Sequence, residues 1–149
     1  VMGHSTVVFN GENQMPRLSR FLFGGWLNPY DVNFSSKENT IQAKYIDHKK
    51  NMHLRRVQQI KDGWKIKDEL QGNSNKVVIL FLLNPVKWKI NGNYVTSDSF
   101  TFFFKSDYIE DIQISTAYDS LFYMEKNKIP TLEVIVKNNS IVNSIITIK

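Results

Sequence analysis

The residues of this chain whose types and spacing could do chemistry are three histidines, a pair of adjacent arginines and a few tryptophans and tyrosines. His4 stands in GHSTVVFNG (Gly3–Gly11), at the opening of what reads as a β-strand. An imidazole there is either a metal ligand or an ordinary polar residue at a strand edge. No second ligand or acid–base partner lies near it in sequence, and one histidine is no metal signature by itself. His53, Arg55 and Arg56 fall in HLRRV (His53–Val57). A guanidinium fork suits carboxylate or sulfate, so these residues could meet an acidic sugar. On a strand, however, His53, Arg55 and Val57 share one face and Leu54 and Arg56 the other. That alternation predicts that one arginine pairs with Asp68 or Glu69 across a hairpin. His48, beside Lys49 and Lys50, reads as a solvated turn.

Trp26, Tyr30, Trp64 and Trp88 have the flat rings that stack on sugars. Trp64 and Trp88 alternate in phase with apolar neighbours and are expected to fill the core. Trp26 and Tyr30 lie in a loop punctuated by Gly24-Gly25 and Asn28-Pro29, which makes them the candidates for a substrate-facing role. Phosphate-binding glycine loops, a Ser-His-Asp order and zinc-finger spacing do not occur.

Short strands must position these groups. Thr6–Phe9 ends at Asn10-Gly11, a dipeptide that accepts positive φ. Ile41–Asp47 alternates, and Met52–Ile60 and Trp64–Leu70 flank Lys61-Asp62-Gly63 as one hairpin. In its second arm Trp64, Ile66 and Asp68 share a face, with Lys65, Lys67 and Glu69 opposite. KVVILFLL (Lys76–Leu83) is apolar throughout, the pattern of a central strand buried on both faces. Further strands are expected at Val86–Ile90, Tyr94–Thr96, Phe100–Phe104, Ile109–Ser115, Leu132–Val136 and Ile141–Ile148, with Lys137–Ser140 turning the last two against each other. About a dozen short strands with no convincing helix predict an all-β, antiparallel two-layer sandwich in a single domain spanning residues 1–149.

Composition agrees. The chain has 149 residues, 42% hydrophobic and 13% aromatic, enough for a folded core without the disulfides that its lack of cysteine rules out. The formal charge of +5 favours a polyanionic partner. Nothing approaches the length of a membrane span, and no nucleic-acid-binding motif accompanies the charge, so neither partner is expected.

Four stretches, in order, resemble the heparinase II/III-like polysaccharide lyases. GHSTVVFNGENQ (Gly3–Gln14) is similar to that family's His-Asn-Thr-Val-x-Val-Asp-Gly-x-x-Gln. HLRRV followed by WKIKDELQG (Trp64–Gly72) resembles its His-x-Arg-x-Val strand and Ile-x-Asp-x-Leu-x-Gly arm. FLLNP (Phe81–Pro85) resembles the next strand, and STAYDS with KIPTLEVIV the closing ones. Ser5, Asn10 and Asp119 depart from the usual Asn, Asp and Gly.

The resemblance implies the C-terminal β-sandwich of a larger bacterial enzyme that cleaves uronate-containing acidic polysaccharide, glycosaminoglycan included, by β-elimination. It implies an N-terminal α/α toroid carrying most of the catalytic residues, and a periplasmic, cell-surface or secreted location. Several members hold zinc in the sandwich, and His4 falls on one of the three ligands; the other two would precede Val1. A non-catalytic module that binds a polyanionic glycan through Trp26, Tyr30 and basic strands is the alternative.

Overall fold

The computed structural model describes residues 4–20, 22–120, 122 and 124–149. Among them there is no helix, and twelve strands form two antiparallel sheets. The smaller sheet has the order β1 (Val7–Phe9), β6 (Val77–Leu82), β11 (Asn127–Val136), β10 (Ile109–Asp119). The larger begins with β2 (Tyr30–Ser35), β3 (Thr40–Ile46), β4 (Met52–Ile60) and β5 (Gly63–Gln71). It continues through β12 (Ser140–Ile148), β9 (Phe100–Lys105), β8 (Tyr94–Thr96) and β7 (Lys89–Asn91). The all-β sandwich expected from the strand pattern is the fold observed.

Alternation explains the core. Ile66 and Leu70 point inward from β5, Val142 from β12, Phe102 and Phe104 from β9, to meet Val77, Ile79 and Phe81 of β6 and Leu132, Val134 and Val136 of β11. The Phe81 ring stands edge-on to Phe102, centroids 5.6 Å apart. The run in β6 is buried on both sides, as expected of a central strand. Its outward residues Val78 and Leu80 form a second small cluster with Val8.

Three expectations are corrected. Tyr30, expected in a loop, instead opens β2, which pairs with β3. Nearly all of β2 is exposed, so it carries no burial rhythm. It is an edge strand held by its backbone ladder, with a register shift and Asp31 at φ 54° inside it. The Lys137–Ser140 turn does not pair β11 with β12 but carries the chain from the small sheet to the large one. Asn139 takes φ 55° there. Asn138 Nδ2 donates to the Gly72 carbonyl (2.6 Å), which ties this corner to the end of β5. Finally, Trp64 does not fill the core. It lies on the inward face of β5 but at the open end of the sandwich, 38% exposed. Trp88 is half-buried and packs on the core, its indole N–H on the Asn84 carbonyl at 3.1 Å.

The hairpin β4–β5 has the expected faces, with β4 as bounded from the sequence and β5 longer by one residue at each end than the expected Trp64–Leu70. Its turn depends on Gly63, at φ 149°, where a Cβ would lie 1.9 Å from the Ile146 carbonyl oxygen of β12. Gly92, at φ 54°, has open space around it. Gly63→Ala should therefore cost about 3 kcal/mol in urea unfolding, clash added to strain. Gly92→Ala should cost about 1 kcal/mol, strain alone. Equal losses would contradict this placement of β5 against β12.

Candidate functional site

Residue 68 falls on the inward face of β5, so the alternation that buries Ile66 and Leu70 also buries a carboxylate: Asp68 is fully buried. A buried charge survives only if it is paired. Its partners come from the neighbouring strand β4, where Arg55 is its direct cross-strand partner. Arg55 Nε donates to Oδ1 at 2.7 Å and its NH2 group to Oδ2 at 3.1 Å, a two-pronged pair. His53, itself buried, places Nε2 2.7 Å from Oδ1. An ionised carboxylate only accepts, so that ring nitrogen carries the hydrogen. Burial pushes the Asp68 pKa up, yet the His53 hydrogen bond and the Arg55 charge and hydrogen bonds outweigh it and hold the carboxyl below the ordinary value. The pairing expected between an arginine and the β5 carboxylates is thus the Arg55–Asp68 pair. Arg56, on the opposite face, pairs instead with Glu38.

The cluster reaches the start of the chain. The remaining Arg55 amino group donates to the Ser5 carbonyl at 2.9 Å, and the guanidinium lies over the Phe81 ring. Ser5 Oγ accepts from the Leu82 amide (3.0 Å), and the Thr6 carbonyl accepts from the Leu80 amide (2.7 Å). Gln14 Nε2 donates to Thr6 Oγ1 (2.8 Å) and to the Tyr45 hydroxyl (2.7 Å). Asn10 Oδ1 accepts from the amides of Asn75 and Lys76 (2.9 and 3.1 Å) at φ 53°. Two departures from the lyase-like motif, Ser5 and Asn10, therefore keep a side-chain oxygen in an accepting role. Tyr45 stands edge-on to His53, centroids 5.4 Å apart, and burial pushes its hydroxyl up to about 12, which excludes it as a base near neutrality.

His4 is exposed, immediately before the anchored Ser5, with no side-chain hydrogen bond or ion pair among the described residues. No group of three His, Asp or Glu among the described residues could hold a metal ion. Trp26 is 73% exposed; Tyr30 is less so, its ring 5.1 Å from Lys44 Nζ. The two rings, expected to act together, do not form a stacked or edge-on pair among the described residues. His48 is exposed as expected, in a turn whose Asp47 Oδ1 accepts from the Lys49 and Asn51 amides. Sequence reasoning missed the links through Tyr45 and the Ser5 carbonyl: nothing in a residue's type marks its carbonyl as an anchor.

No family model matches the sequence, and no curated protein does. Solved structures do. A heparinase III matches over 99% of this chain with a TM-score of 0.71 at 14% identity, and 24% of that protein is covered. The heparan sulfate lyase HepC from Pedobacter heparinus matches over 99% with a TM-score of 0.67 at 15% identity, again with 24% of its chain covered. The chain has the fold of one segment of these lyases. It spans about a quarter of their length.

The cluster's energetics are testable. Asp68→Asn leaves Arg55 facing a neutral amide and should cost about 3 kcal/mol in urea unfolding at neutral pH. Because the folded pKa is lowered, the wild-type advantage is full above the unfolded value, about 3.9, and is lost as pH falls through the folded one. The difference between the two proteins should accordingly shrink below about pH 4. A gap that is flat with pH would contradict the ionised cluster.

Proposed function

We propose that this chain is the C-terminal β-sandwich of a heparinase II/III-like lyase, packed on an N-terminal α/α toroid that carries the catalytic base and acid. The observation that carries this reading is the fold match across the whole chain to a quarter of each lyase, joined to four motif stretches in the same order. The reaction is β-elimination on an acidic, uronate-containing polysaccharide. A base removes the proton alpha to the uronate carboxylate, the electron pair forms a carbon–carbon double bond, and the glycosidic oxygen leaves and is protonated. Such a site needs the carboxylate neutralised and a base within reach of the carbon, inside a cleft walled by more than one element.

This sandwich forms one wall and carries His4. The imidazole is exposed and unpartnered among the described residues, the condition for a ligand still free to bind. One histidine fits zinc only if the other ligands come from outside the chain, so His4 would be one of a set. Bound zinc would act structurally, pinning the start of β1 to the neighbouring segment. By the same resemblance the enzyme is bacterial and periplasmic, cell-surface or secreted, with glycosaminoglycan among its substrates. The isolated sandwich is inactive. No helix among the described residues is long and apolar enough to cross a membrane.

The alternative, a module that only binds a polyanionic glycan, is favoured by the exposed Trp26.

The test is absorbance of the unsaturated uronate product. The 149-residue chain should yield none from heparan sulfate or polyuronate, and the longer protein should yield it; turnover by the short chain alone would overturn the division of labour. In the longer protein, His4→Ala should remove bound zinc. Unchanged zinc content would overturn the ligand assignment.

A further inference from the structure

The outward face of the large sheet carries a basic strip that neither the core nor the Asp68 cluster uses. Cross-strand register lines up Arg56 of β4, Lys67 of β5, Asn143 of β12 and Lys105 of β9 in one row. Lys65 stands in the adjoining row, beside Gln58. Arg56, Gln58, Lys65, Lys67 and Asn143 together line a depression of about 280 Å³.

Two observations give the strip meaning. Arg56 and Lys67 are direct cross-strand partners, and like charges so placed oppose folding. The carboxylates near them do not cancel the strip. Glu38 holds Arg56 at 2.7 Å and Glu69 holds Lys67 at 2.7 Å, while Lys65 and Lys105 have no ion pair among the described residues. Four cations against two anions leave a net positive field on this face. The row covers three inter-strand steps, about 14 Å. That is the shape of a track for an extended, repeating anion rather than a pocket for a single ion.

We infer that this face binds a linear anionic polysaccharide. Sulfate or carboxylate groups would sit over Lys65, Lys67 and Lys105, and sugar hydroxyls against Gln58 and Asn143. Nucleic acid fits less well. Duplex recognition inserts a helix or ribbon into a groove, and single strands need free aromatic faces. The aromatic pair beside the strip, Tyr94 and Phe103, stacks on itself with centroids 4.7 Å apart. The site lies on the sheet face opposite the one that holds Asp68. It goes beyond the lyase reading: the linear, anionic character of the ligand follows from the charge and length of the strip, and its hydroxyls from the amides of Gln58 and Asn143.

The test is titration calorimetry on the 149-residue chain with a heparin oligosaccharide, an oligogalacturonate, dextran and a single-stranded DNA of matched charge. The Lys65→Gln, Lys67→Gln, Lys105→Gln triple variant should bind the best acidic saccharide about ten-fold more weakly, with a shallower salt dependence. Its melting temperature should change little, because relief of the Arg56–Lys67 repulsion offsets loss of the partly exposed Lys67–Glu69 pair. A control triple with the same charge loss elsewhere, Lys76→Gln, Lys126→Gln, Lys128→Gln, should keep its affinity. Equal loss in both triples would reduce the effect to net charge and overturn the site. So would acidic saccharides binding no better than dextran, or DNA binding as tightly as they do. No cleavage is measured, so failure here leaves the lyase reading standing, and failure of that reading leaves this site standing.

Discussion

The inward face of the large sheet carries a fully buried carboxylate, and much of the local order follows from how it is satisfied. Asp68 occupies an inward position between Ile66 and Leu70, where an apolar residue would be expected. Replacing a buried ion pair with apolar side chains is often neutral or stabilising, so stability alone does not account for this arrangement. What an apolar replacement could not do is reach out of the core. Arg55 neutralises Asp68 with two of its groups and holds the Ser5 carbonyl with a third. The carboxylate thereby fixes a guanidinium, and the guanidinium fixes the entry into β1. The cluster ties together two sheets that share no backbone ladder among the described residues.

Unequal sheets then divide the surface by character. Four strands cannot cover eight, and one inward row of the large sheet shows where cover stops. From Phe104 and Ser144 through Ile66 the row is buried, at Ile41 it is 52% exposed, and at Phe34 of β2 it is 75% exposed. On the proposed reading, that uncovered apolar margin is available to a neighbouring domain. The outward face of the same sheet carries the long cationic side chains. Period-two alternation alone sends Asp68 to the core and Lys67 to the strip one residue away.

Legibility in the sequence followed the same physics. The hairpin β4–β5, its faces and the Arg–carboxylate pair were readable because burial alternates there and a glycine closes the turn. β2 was not, because an exposed edge strand leaves no hydrophobic rhythm to read. The β11–β12 turn was legible as a turn but not as a crossing between sheets. The Asn residues that form it serve either purpose, and only the tie to Gly72 decides. Trp64 misled for a related reason: its phase was read correctly, but phase does not reveal where the opposite sheet ends. The basic strip was present in the alternation of Lys65 and Lys67, yet the alignment with Arg56 and Lys105 exists only once four strands are in register.

The lyase-like motif at the start of the chain separates into two kinds of residue once its contacts are known. Ser5, Thr6, Asn10 and Gln14 are all engaged inside the sandwich, as acceptors or donors that tie β1 to β6 and β3. An oxygen acceptor suffices at Ser5 and Asn10, so exchanging one short polar side chain for another leaves the architecture intact. That tolerance fits a fold shared at 14% identity. His4 differs. The network positions its backbone through Ser5 and leaves its ring without a partner among the described residues. Its ring nitrogens make no hydrogen bond or ion pair among the described residues, whereas the polar side chains of Ser5, Thr6, Asn10 and Gln14 are engaged within the sandwich.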